Sequence, residues 1–333
     1  MIKFYRRIRQ KMIIKNKFSK YLIYAIGEIV LVVIGILIAL FINNKNQAYQ
    51  TEKKANNLLL EVLEDLEHTI LSSNTQLVVY SEKQKGFDLV IGNRLTLKDY
   101  TDSKYNNLTY VTTSSLPGKI RRLAYNNLVK EINEIPRKLK PIVKELTNFY
   151  NNDNSDKYNQ IVEKQSIDNL KNRAENYKWF SPSIDNIKNE GMINYMLNDY
   201  KYKNEVSFYA RLARFHMHYL LDDKKKAENL YLKISKFLNI TVKDGIFDIG
   251  NNVNKTLEGE WGSKDYPNYK FSFFKKKEQL FYRTNIDTTA IKLHTISNLK
   301  LINNSLFFYT VEQEKNDTIL KINGIAKFRK IEK

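Results

Sequence analysis

The chain has 333 residues, 42% hydrophobic and 12% aromatic, which is enough apolar material for packed cores and too much for a disordered tail. Its formal charge of +19 is mostly lysine and thinly spread, with no stripe of arginine and aromatics beyond the N-terminus, so the charge argues against a nucleic-acid partner. Cysteine is absent, which excludes disulfides, thiolate metal ligands and a cysteine nucleophile.

Residues 1–20 form a basic tail with Lys3, Arg6, Arg7, Arg9, Lys11, Lys15, Lys17 and Lys20 and no acid. The run from Tyr21 to Ile42, YLIYAIGEIVLVVIGILIALFI, carries one charge. As a helix rising about 1.5 Å per residue it reaches roughly 33 Å, matching the hydrocarbon core of a bilayer. It is too long for a signal peptide, and Asn43, Asn44, Lys45 and Asn46 follow it where small residues would mark a cleavage site, so it reads as a retained anchor. The next twenty residues hold only Lys45, Lys53 and Lys54, opposed by Glu52 and Glu61. That asymmetry predicts a cytosolic N-terminus and an exported bulk.

Glu28 is a carboxylate inside the apolar run, costly there unless it is neutral, paired or able to reach water. At 100° per residue Glu28, Gly35 and Ala39 fall within about 40° of one another, with Val32 beside them, so the stripe contains a small-xxx-small pair. One reading makes Glu28, Val32, Gly35 and Ala39 a helix–helix interface, with a second copy or with another membrane protein. The other has Glu28 reaching the cytosolic headgroups or the Tyr24 hydroxyl, and the sequence leaves both open.

The segment KFSKYLIYAIGEIVLVVIGILIALFINN, Lys17 to Asn44, preceded by FYRRIRQKM, resembles the opening of a large uncharacterised family of single-pass proteins from Gram-negative bacteria. The family pattern Y-A-x-G-E-I-x-L-V-V-x-G-I-L-I-A-L stands here at Tyr24 to Leu40, while Lys45 replaces a usual tryptophan. The resemblance implies an inner-membrane location and a periplasmic domain, and brings no activity with it.

From residue 43 to about 240 the chain reads as a mainly α-helical domain. No proline or glycine follows the span until Gly86, and Leu59, Leu63, Leu66, Ile70, Ser73, Leu77 and Tyr80 recur at heptad steps. This seam over residues 59–80 is either a short parallel coiled coil between two copies or, the preferred reading, a stripe packed against later helices of the same chain. Breaks are expected at Gly86, at Gly92-Asn93 and at Leu116-Pro117-Gly118, and further interruptions at Pro136 and Pro141. Between Met192 and Leu238, apolar stripes on either side of Asp222-Asp223-Lys224-Lys225-Lys226 predict a hairpin of two helices or one long helix. His216 and His218 are two apart, on different faces of a helix, so a shared metal is not expected and both are assigned to the surface or the core edge. Glu61, Glu64, Asp65 and Glu67 read as the solvated side of the first helix, and the tyrosines from Tyr195 to Tyr209 as packing residues.

A linker at 241–254 precedes a module at 255–333 where helical periodicity gives way to short alternating runs: Tyr269 to Phe274, Gln279 to Arg283, Leu299 to Ile302, Ser305 to Val311, Thr318 to Ile322 and Ile325 to Phe328. Turn candidates at Asn303-Asn304, Lys315-Asn316-Asp317 and Asn323-Gly324 make this an antiparallel meander or small barrel. Leu257-Glu258-Gly259-Glu260-Trp261 resembles the L-x-G-x-W opening of lipocalin-like domains, in which the tryptophan, here Trp261, closes one end of the barrel. An interior filled with side chains is preferred over a hollow one.

The expected class is therefore α+β: a transmembrane helix, a helical exported domain and a C-terminal β module. No catalytic motif, cofactor site or metal cluster is recognised. The expected role is a non-enzymatic tethering or interaction module, in contact with the lipid bilayer and with a second copy or another envelope protein. The alternatives are a ligand-binding or sensory module built on the barrel, and, less favoured, a membrane-attached enzyme.

Overall fold

The computed structural model describes residues 18–101, 108–118, 120–131, 136–152, 154–181, 189–242, 255–276, 279–315 and 317–331. Lys3, Arg6, Arg7, Arg9, Lys11, Lys15, Lys17, the side chain of Lys20, positions 243–254 of the linker and Asn316 of a turn candidate lie outside the described residues. The class is α+β: helices first, then a closed eight-stranded antiparallel barrel.

Helix α1 (Phe18–Ile91) runs 74 residues without interruption, about 111 Å at 1.5 Å per residue. Its first part is the one helical segment among the described residues long and apolar enough to cross a membrane, and none of that segment is buried against the rest of the chain. Residues 43–50 remain exposed on every side, and Ala55 is the first core residue. The expected break at Gly86 is absent. A Cβ at that position would stand 3.0 Å from Val111 Cγ2, so glycine there lets an incoming loop approach the helix rather than ending it. α1 ends at Gly92-Asn93, where Asn93 takes a left-handed φ of 51°.

The remaining helices are α2 (Leu97–Thr101), α3 (Leu123–Glu131), α4 (Lys140–Tyr150), α5 (Asn154–Asn176), α6 (Glu190–Asn198) and α7 (Tyr200–Leu238). Pro141 lies in the first turn of α4, where its missing N–H leaves no intrahelical bond unmade. The Met192–Leu238 region contains one 39-residue helix, α7, preceded by the short α6; Asp199 separates them and accepts the Lys201 N–H at 2.8 Å. The charged run 222–226 is helical, and Asp223 and Lys224 are buried within it.

α7 lies antiparallel along α1. Leu59, Leu63, Leu66 and Ile70 pack with Ala227, Leu230 and Ile234, while Leu77, Tyr80 and Phe87 pack with Val206, Tyr209 and Met217. One side of α1 therefore threads both helical cores, in keeping with the intrachain reading of the heptad seam.

Strands β1 (Gly259–Gly262), β2 (Lys270–Lys276), β3 (Gln279–Thr284), β4 (Ile291–Ser297), β5 (Lys300–Asn303), β6 (Phe308–Glu314), β7 (Asp317–Ile322) and β8 (Ala326–Lys330) pair in sequence order. Trp261 opposite Lys330 and Gly262 opposite Arg329 close the barrel. Asn323 and Gly324, with φ of 51° and 68°, form the β7–β8 turn. β4 was missing from the sequence reading. Ile291 and Leu293 face the barrel core while Ile296, on the other face, packs into the helical core, and a register shift lies between Thr295 and Ser297.

The barrel does not hang free on its linker. Ile296, Ile302, Leu306 and Phe308 belong to the same core as Leu77, Met217 and Leu221 of the helices. Around them Lys300 donates to Ser81 Oγ at 3.0 Å and pairs with Glu82, and Arg214 donates to the Ser305 carbonyl at 3.3 Å.

Candidate functional site

The residues singled out from the sequence fall in three places. Glu28, Val32, Gly35 and Ala39 sit on the exposed apolar stretch of α1, and no atom would lie within 4 Å of a Cβ built at Gly35. Three residues past the span, Lys45 Nζ stands 5.1 Å from the centroid of Phe41. The seam residues Leu59, Leu63, Leu66, Ile70, Leu77 and Tyr80 are buried within the chain. Asp65, assigned above to the solvated face, is buried too. Its carboxylate accepts the Ala124 N–H at 3.0 Å near the start of α3, which compensates a donor that has no intrahelical partner.

Trp261 has no exposed surface and donates its indole N–H to the Leu257 carbonyl at 2.8 Å. Around it Phe271, Phe273, Leu280, Tyr282, Leu301, Tyr309, Leu320 and Phe328 make one contiguous core. Ring centroids stand 4.9 Å apart for Phe271–Phe328 and 5.3 Å for Tyr282–Tyr309, and Asn303 donates to the Tyr282 and Tyr309 hydroxyls at 3.0 and 3.2 Å. The interior is thus occupied by interlocked side chains, as expected for a barrel this small.

A second feature was not visible in the sequence: a buried polar seam that clamps the loop 108–118 between α1, α5 and α7. Arg173 on α5 and Glu205 on α7, 4% and 8% exposed, pair at 2.6 Å. Arg173 also donates to Thr112 Oγ1 at 2.8 Å and to the Thr109 carbonyl at 3.3 Å, and Thr112 donates to Glu205. Lys83 on α1 donates to the Val111 carbonyl at 3.2 Å, to the Ser114 carbonyl and to the Tyr209 hydroxyl at 3.0 Å. Burial pulls the Lys83 ammonium down to about 8. Tyr195 donates to the other Glu205 oxygen at 3.1 Å, and its burial pushes the phenol well above its ordinary value.

Tyr195 links this seam to the surface. Its ring lines an open cleft of about 560 Å³ together with Tyr177, Trp179 and Tyr200. The Tyr177, Trp179 and Tyr195 rings touch one another with centroids 4.4 to 5.3 Å apart. Asn194, Asn198 and Asp199 supply the polar rim. A neighbouring cleft of about 330 Å³ shares Asn198 and is bounded by Asn93, Thr96 and Lys203. The tyrosines read as packing residues thus divide: Tyr195, Tyr202 and Tyr209 are buried, whereas Tyr200 is 68% exposed. Tyr177 and Trp179, two positions apart, were the one local sequence signal for this cleft, since Tyr195 and Tyr200 join them from other segments.

His216 also departs from expectation. It is 1% exposed, with Nδ1 2.8 Å from the Tyr80 hydroxyl, and burial holds its imidazole down to about 4. A folded-state value below that of the unfolded chain means that protonation favours unfolding. The stability present above about pH 6.5 is therefore lost as pH falls towards 4. His294, held down to about 3 by burial and by Lys292, Lys225 and Lys224, has the same sign. Asp223, pushed up to about 6 by burial, has the opposite sign and partly offsets them. Thermal melts should show stability falling between pH 6.5 and 4, and His216→Asn should flatten that slope by up to about 3 kcal/mol over the interval. An unchanged slope would show that His216 does not titrate with unfolding.

The fold and these surfaces define an α+β protein with one candidate membrane-crossing helix, a filled barrel and an aromatic cleft on its helical body. Compared with protein families, with curated proteins and with solved structures, the chain finds no match.

Proposed function

We propose that this chain is a single-pass inner-membrane protein with a cytosolic N-terminus, holding a rigid α+β body in the periplasm for contact with other envelope components. The observation that carries the reading is the continuity of α1, in which the apolar span and the spine of both helical cores are one helix. Movement of the body relative to the bilayer is limited to tilting and bending of that helix. Residues 43–54 add about 18 Å of stalk before the core begins. The charge asymmetry around Tyr21–Ile42 and the family resemblance of Tyr24 to Leu40 support the orientation. The filled barrel supports action through outer surfaces over storage of a ligand inside it. The exposed stripe at Glu28, Val32, Gly35 and Ala39 is the surface on which a second copy or another membrane protein would pack.

Because the chain has no cysteine, single-cysteine variants report one position each. Gln50→Cys and Tyr266→Cys should fractionate with membranes and react with a membrane-impermeant maleimide in cells whose outer membrane alone has been permeabilised. Ser19→Cys should react only after the inner membrane is opened. The reverse labelling pattern, or recovery of the intact chain in the soluble fraction, would overturn the reading.

A further inference from the structure

We infer that the aromatic cleft between the end of α5 and the α6–α7 junction binds a neutral oligosaccharide of pyranose units. The inference stands on the cleft alone and holds whichever way the chain is oriented. A pyranose presents one face of C–H groups and a perimeter of hydroxyls, so its receptor needs aromatic surface beside paired donors and acceptors. Half-buried Tyr177 and Trp179, their centroids 5.3 Å apart, supply that surface, backed by the buried Tyr195 ring, with exposed Tyr200 as a second wall. Asn194, Asn198 and Asp199 supply both donors and acceptors at the rim. Among the described residues that line this cleft none is lysine or arginine, so that lining lacks the cationic groups that a phosphate-rich or anionic polymer requires.

The platform is held in place before any ligand arrives. The Tyr195 hydroxyl is tied to Glu205, which is itself paired with Arg173. Trp179 lies so close over Gly191 that a Cβ there would fall 2.8 Å from Trp179 Cβ. Asn198 donates to Asn194 Oδ1 at 2.7 Å across one helical turn, which orients both amides. Such preorganisation lowers the ordering cost of binding. The adjoining cleft that shares Asn198 extends the trough and brings Lys203 to its far side, so the uncharged lining belongs to the aromatic part, and the added length suits a chain of sugars better than a single one. A polyproline helix also uses aromatic grooves, but it docks into slots between separated rings. Here the Tyr177, Trp179 and Tyr195 rings touch and leave no slot between them.

The test uses the full chain in detergent or nanodiscs, titrated with chito-, cello- and malto-oligosaccharides and, separately, with a proline-rich peptide. The chain has two tryptophans, and Trp261 is sealed inside the barrel, so a change in tryptophan emission reports on Trp179. At least one oligosaccharide should saturate the signal, longer oligomers should bind more tightly than the disaccharide, and Tyr200→Ala and Asn198→Ala should each weaken binding about tenfold or more. Both side chains are exposed, so unchanged melting curves will show that these variants remain folded. No saturable response to any sugar, binding unaffected by both substitutions, or saturation by the peptide alone would overturn the proposal.

Discussion

Trp261→Ala is expected to destabilise the barrel by about 3–5 kcal/mol, the range for deleting a fully buried large aromatic side chain. The position has no exposed surface, and the substitution also leaves the Leu257 carbonyl without its 2.8 Å donor. The barrel is a small body, so a loss of this size is a large share of any stability it has on its own. Its outer face, however, shares Ile296, Ile302, Leu306 and Phe308 with the helical core. The loss should therefore appear as a lower midpoint of the same cooperative transition that unfolds α7, rather than as a separate early transition. Denaturant unfolding followed by near-ultraviolet and far-ultraviolet circular dichroism checks this. Two well-separated transitions would show that the apolar contact between the parts contributes little. Trp261→Phe keeps the ring and loses the indole donor, and should cost about 1–2 kcal/mol.

Arg173→Ala should cost about 3–5 kcal/mol, because it strands Glu205 as an uncompensated buried charge. Its guanidinium also holds Thr112 and the Thr109 carbonyl, so the loop 108–118 loses several of its anchors at once. The double variant Arg173→Met with Glu205→Leu removes both charges and should recover much of that loss, since an apolar pair carries no desolvation penalty. Arg173→Lys should fall between the two, because an ammonium cannot reproduce the forked contacts of the guanidinium. Stability measured in all four forms separates these outcomes. A double variant no better than the single one would mean that loop anchoring, not charge burial, dominates. Arg173 also acts at a distance on the aromatic cleft, because Glu205 accepts the Tyr195 hydroxyl.

Elements whose determinants are local were legible in the sequence. The apolar run from Tyr21 to Ile42, the Gly92-Asn93 stop and the Asn323-Gly324 turn each announce themselves within a few residues, whereas Pro141, expected to interrupt a helix, stands in the first turn of one. Most strands were legible for the same reason, since a strand half-buried on a barrel wall alternates at period two. β4 escaped because the helical core covers Ile296 on its outer face, so apolar residues stand on both faces and the in-out pattern is blurred. Gly86 was misread because its neighbour Val111 is 25 positions away in sequence, and only a long-range contact makes glycine useful inside a helix.

The candidate sites divide along the same line. The grouping of Glu28, Val32, Gly35 and Ala39 on one stripe follows from helical geometry on one segment, so sequence alone gives it. Asp65, His216, Lys83, Arg173 and Glu205 carry side chains that belong on a surface by composition, and no local pattern marks them as buried. Each is buried because distant segments supply its partner: Ala124 for Asp65, Tyr80 for His216, the loop 108–118 for Lys83 and Arg173. The aromatic cleft is likewise built from three segments that meet only after α5, α6 and α7 pack.

Sequence by itself determined an apolar run long enough to cross a membrane, the α+β class and the Asn323-Gly324 turn, because hydrophobic run length, period and turn chemistry are properties of consecutive residues. Tertiary structure alone decided that the apolar run and the core spine are one helix, that the seam is filled from within the chain, and that a polar seam supports an aromatic cleft. Those outcomes depend on which distant groups satisfy each buried charge and cover each apolar face, and a linear pattern does not contain that pairing.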